Sequence, residues 1–74
     1  MRLQTIRQHK DLTQKQLAER SGVPLRAIQT YEAGYRNIDG AKLETLVNLA
    51  AALGVGVADL IEDEKLRKRV RATL

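Results

Sequence analysis

The sequence predicts an all-α protein, a bundle of five short helices, and three observations carry that prediction. Apolar residues recur three and four apart along most of the chain, while no segment shows the alternation of a half-buried strand. Helix-starting and helix-stopping residues punctuate that pattern at short intervals. The 74 residues leave room for one small core and no second one.

Leu3 and Ile6, with Arg7 one turn on from Leu3, place a first helix over about the first ten residues. Asp11-Leu12 connects it to Thr13-Gln14-Lys15-Gln16, a T-x-x-Q capping box in which hydroxyl and amide satisfy each other's backbone donors. The second helix runs from there to about Ser21, turns Leu17 and Ala18 inward, and stops at Gly22. Pro24 fits the first turn of a third helix, where its missing N–H has no partner to lose. Ile28 and Tyr31 form the inner face of that helix and Ala33-Gly34 closes it.

Tyr35 to Ile38 reads as a loop, with Asp39 as the cap of a fourth helix. Leu43, Leu46, Val47, Ala50 and Leu53 supply the strongest periodic signal, and that stripe reads as core. Gly54 ends it, and a short fifth helix near Gly56 carries Val57, Leu60 and Ile61. The predicted unit is 1–62, leaving 63–74 as a charged tail. Acid-to-base pairs Asp63–Arg67 and Glu64–Lys68 and a Leu66, Val70, Leu74 stripe allow a helical extension there. A solvated, disordered tail is equally compatible.

Composition narrows the function. Phe, Trp and Cys are absent and the aromatics are Tyr31 and Tyr35, so the core is aliphatic and no disulfide contributes. The lack of cysteine agrees with a reducing compartment. Leu46 to Ala58 is too short to span a bilayer, and MRLQTIRQHK lacks the apolar run of a signal peptide. A soluble, cytoplasmic protein is expected. Net charge is 13 − 9 = +4, which favours nucleic acid or another acidic partner. Four acids between Asp59 and Glu64 precede five bases between Lys65 and Leu74, so part of the excess cancels locally.

No metal, cofactor or catalytic site is expected. His9 is the sole histidine, Gly54-Val55-Gly56 lacks the spacing and lysine of a phosphate loop, and no nucleophile–base constellation is present. An enzyme is therefore not the reading.

Ser21 to Gly34 reads SGVPLRAIQTYEAG: two short helices joined by a tight turn around a glycine. That is the geometry of a helix-turn-helix, whose second helix enters the DNA major groove. Ala18 keeps the crossing close, Gly22 permits a positive φ, and Val23 and Ile28 fill the wedge.

The runs LTQKQLAERSGVPLRAIQTYEAGYR, LETLVNLAAALGV and ADLI closely resemble the phage-repressor/Cro-like, XRE-type helix-turn-helix family from about Leu3 to Ile61. The resemblance implies a compact five-helix fold that binds double-stranded DNA as a homodimer on a palindromic operator. It implies base contacts from Leu25, Arg26, Gln29 and Thr30. It also implies phosphate contacts from Gln14, Tyr35, Arg36 and, more weakly, Lys42. Arg7 and Glu32 match a structural salt bridge between the first and third helices. Independently of the family, Arg suits guanine O6/N7 and Gln suits adenine N6/N7. A free helix N-terminus at Gln14 also favours an anion. Pro24 and Gly56 depart from the family's usual helix caps. Leu25 has nothing but apolar contact to offer a base.

These features make a DNA-binding transcriptional regulator, in particular a repressor, the first reading. The alternative is a protein-interaction module, such as the antitoxin partner of a toxin, using Leu25, Tyr35 and the C-terminal stripe.

Overall fold

A computed structural model describes all residues, Met1–Leu74. Five α-helices follow one another: α1 (Arg2–His9), α2 (Gln14–Ser21), α3 (Leu25–Glu32), α4 (Leu43–Leu53) and α5 (Glu64–Thr73). Two 3-10 turns, Ile38–Gly40 and Val57–Leu60, lie on either side of α4. There is no strand. The all-α reading holds.

The boundaries of α2 show how local chemistry sets an element. Thr13 Oγ1 accepts from the Gln16 N–H at 3.0 Å and the Gln16 amide oxygen accepts from the Thr13 N–H at 2.9 Å. This is the reciprocal cap expected of T-x-x-Q. At the other end Gly22 adopts φ 74, and its N–H closes onto the Ala18 carbonyl at 2.9 Å. Asp11, between α1 and α2, also has a positive φ of 56, in the left-handed region that Asp tolerates better than most residues.

Leu3, Leu17, Ile28, Ile38, Leu49, Leu60 and Ile61 are the fully buried large side chains, drawn from every element except α5. Each such aliphatic side chain contributes about 1.5–3 kcal/mol on burial. The core is aliphatic because the chain supplies no Phe or Trp. Tyr31 is the one buried aromatic.

The structure departs from the sequence pattern in three places. First, Leu43 and Val47 are 57% and 46% exposed, whereas Leu49 is fully buried. Helix α4 carries apolar residues over most of its circumference, so spacing alone did not select the inward arc. Tertiary packing centres that arc on Leu46, Leu49, Ala50 and Leu53. Second, the segment from Val57 to Leu60 is a 3-10 turn rather than an α-helix, since only four residues separate Gly56 from Ile61. The fifth α-helix is the C-terminal segment. Leu66 and Val70 pack against the core, while Leu74 stays 74% exposed.

Third, Asp39 does not cap α4. Its residue before the first turn is Lys42, with no side-chain cap. The Asp39 carboxylate instead accepts from the N–H groups of Glu62 at 2.7 Å and Asp63 at 2.9 Å. Asp63 in turn accepts from the Leu66 N–H at 2.8 Å and caps α5. Two acids in series thus start the last helix. Arg67 adds bonds to the Ile61 carbonyl at 2.9 Å and the Glu62 carbonyl at 3.0 Å.

Candidate DNA interface

The α2–α3 pair is joined by a turn with its own polar fastening. Ser21 is buried, and its Oγ accepts from the Val23 N–H at 3.1 Å. Val23 and Ile28 are buried in the wedge, as the sequence implied. Pro24 stands one residue before α3, outside its first turn. Its carbonyl accepts from Ala27 at 3.0 Å and Ile28 at 3.2 Å. The proline offers no side-chain cap, and its φ of −56 is already close to helical.

Helix α3 has two unlike faces. Inward lie Ile28 and Tyr31, with Glu32 at the end. Outward, Arg26 and Gln29 are exposed and Thr30 is half-buried. Arg26, Gln29, Thr30, Ala33 and Tyr35 line one shallow concavity. The structure therefore brings three of the four expected base readers together with Tyr35, which is 85% exposed. Leu25 is half-buried at the first position of α3 and does not line that concavity. Thr30 Oγ1 donates to the Arg26 carbonyl at 2.6 Å, which uses its hydroxyl proton and leaves the oxygen free to act as an acceptor.

The expected phosphate contacts fall in three places. Tyr35 stands on the α3 face just described. Arg36 and Lys42 line a second groove, between α3 and α4, whose walls include Gly22, Ala27, Tyr31 and Asn48. The Arg36 guanidinium lies over the Tyr31 ring, 5.2 Å from its centroid, a contact that holds the cation at the groove edge. Thr45 and Asn48 on that wall went unnoticed in the sequence. Their spacing of three, which sets two uncharged polar side chains at neighbouring positions of a mostly apolar helix, was the available signal. Glu44 also lines the groove and offsets part of its positive charge.

Gln14, the third place, opens α2. The capping box uses the N–H groups of Thr13 and Gln16, so those of Gln14 and Lys15 have no acceptor in the chain. Such orphan donors, with the helix dipole behind them, suit an oxyanion. The Gln14 side chain is half-buried, and its Nε2 donates to Glu32 Oε1 at 3.0 Å.

Arg7 and Glu32 form the expected ion pair, and it is bidentate. Arg7 Nε donates to Oε2 and Nη2 to Oε1, both at 2.8 Å, with side-chain exposures of 10% for Arg7 and 2% for Glu32. Arg7 Nη1 also donates to the Leu12 carbonyl at 2.7 Å. The hydrogen bonds to Glu32 raise the Arg7 pKa above its ordinary value, against the opposing effect of burial. One ion pair thus ties α1, the α1–α2 connection and the end of α3 together.

Two helices at a glycine turn, the second with a buried inner face and an exposed polar outer face, define a helix-turn-helix domain. The helix-turn-helix family matches residues 3–60, and the chain belongs to that family, in its XRE-type, phage-repressor-like class. The chain is also 33% identical over 76 residues to the cryptic phage CTXphi transcriptional repressor RstR of Vibrio cholerae. That alignment covers 95% of this chain and 66% of the relative. No solved structure matches the chain. No helix is long and apolar enough to cross a membrane.

Proposed function

We propose that this chain is a sequence-specific DNA-binding transcriptional regulator, a repressor, that reads the major groove with α3. The observation that carries the reading is the placement of Arg26 and Gln29. Both are exposed on one face of a helix whose other face is fixed by Ile28, Tyr31 and the Arg7–Glu32 pair. Side chains able to grip guanine and adenine in bidentate fashion are presented from a rigid support. The name of the Vibrio cholerae relative, a transcriptional repressor, points the same way.

In this proposal Arg26 and Gln29 read base edges, while Thr30 and Leu25 meet thymine methyls. Gln14, Tyr35, Arg36 and Lys42 hold phosphates and so fix the register without reading sequence. The protein acts inside the cell as a homodimer on a palindromic operator, its two α3 helices about 34 Å apart. Selection of bound sequences from a random duplex pool tests this at about 0.15 M salt, where exposed charges are screened beyond about 8 Å. A palindromic consensus is the expected result. Salt-sensitive binding with no enriched sequence would overturn the reading and favour the protein-interaction module instead.

A further inference from the structure

The buried ion pair meets the predicted phosphate contact at a single oxygen. Glu32 Oε1 accepts from Arg7 Nη2 at 2.8 Å and from Gln14 Nε2 at 3.0 Å. An ionised carboxylate only accepts, so Gln14 must turn its NH₂ group, not its carbonyl, toward Glu32. That choice fixes the amide. One N–H of the group is taken by Glu32, and the second diverges from it in the amide plane and remains available. The backbone N–H groups of Gln14 and Lys15 are free at the same helix end. A lone carboxylate here would repel a phosphate, but Arg7 neutralises it through two hydrogen bonds.

We propose that Glu32 is a positioning residue for DNA binding: it orients the Gln14 amide so that its free N–H meets a backbone phosphate. The chain of contacts runs from Arg7 to Glu32 to Gln14 to the DNA, each donor facing an acceptor. Glu32 ends α3 and Gln14 begins α2, so the same bond ties the phosphate contact to the reading helix. The proposal rests on the reading of Gln14 as a phosphate contact, and the experiment separates the two.

A double-mutant cycle on affinity for the selected operator duplex is the test, with Gln14→Ala, Glu32→Gln and the double variant compared well below their melting temperatures. Gln14→Ala is expected to weaken binding about tenfold, the scale of one hydrogen bond to a charged group. Glu32→Gln is expected to weaken it about fivefold in the parent, where a neutral amide grips Gln14 less firmly, and not at all in the Gln14→Ala background. Equal losses in both backgrounds would leave Gln14 as a phosphate contact and overturn the role of Glu32. If Gln14→Ala binds the duplex as tightly as the parent, the phosphate reading fails and the proposal falls with it.

If Glu32→Gln does not fold, the Gln14 side-chain amide protons of the parent decide by NMR. One amide proton protected from solvent exchange by the Glu32 carboxylate, with the other shifting when the duplex is added, supports the proposal. Two protons that exchange as fast as those of exposed glutamines, or that do not respond to the duplex, overturn it.

Discussion

The two faces of α3 differ in what they depend on. On the inner face Ile28 is fully buried and Tyr31 and Glu32 nearly so, each defined by its neighbours. On the outer face Arg26 and Gln29 are exposed, and neither side chain forms a hydrogen bond or ion pair within the chain. The inner residues are explained by the fold and the outer ones are not, so the outer ones are free to serve a partner.

The inner face is most vulnerable at the ion pair. Arg7→Ala leaves the Glu32 carboxylate buried without its cation and should cost about 3–5 kcal/mol of stability in denaturant unfolding. The Arg7 contribution brings no pH dependence at neutrality. Its raised pKa means the stabilising protonated form persists below the ordinary value and is lost only as the pH climbs through the raised one. Ile28→Ala should cost about 2–5 kcal/mol by the same measurement, through lost burial and the cavity left behind. If either loss is small, the inner face does not support the outer one in the way described.

Smaller effects sharpen the distinction. Lys42→Ala, on the groove between α3 and α4, should leave the melting temperature unchanged. It should lower the slope of log affinity against log salt by about 0.9, the release accompanying one neutralised phosphate, with sequence preference intact. A change of preference would mean that the groove reads bases. Gly22→Ala should cost about 1 kcal/mol, since no atom lies within 4 Å of the added methyl and only the positive φ resists it.

How legible each part was follows from the range of the interaction that decides it. The capping box at Thr13 and Gln16 and the stops at Gly22 and Gly54 involve residues a few positions apart, and the sequence displays them directly. The wedge of Val23 and Ile28 follows from the turn. The Arg7–Glu32 pair spans 25 residues, and no local pattern announces it; family resemblance supplied it. Asp39 looked like a local cap because a short acid before a helix usually is one, yet its partners lie 23 and 24 residues away. The inward arc of α4 was ambiguous because Leu43 and Val47 share the spacing of the buried leucines. Likewise, the Gln14–Glu32 bond depends on how α2 and α3 cross, which no spacing encodes.

In the proposed mode of binding, Arg26 reads a base from the outer face of a helix whose inner face holds the fold. Repeating the duplex selection with Arg26→Ala tests it most directly. An unchanged melting temperature is expected, with a consensus degraded at one base pair per half-site and a loss of about 1–3 kcal/mol in binding to the parent operator. A variant that keeps the parent's affinity and full consensus would contradict it.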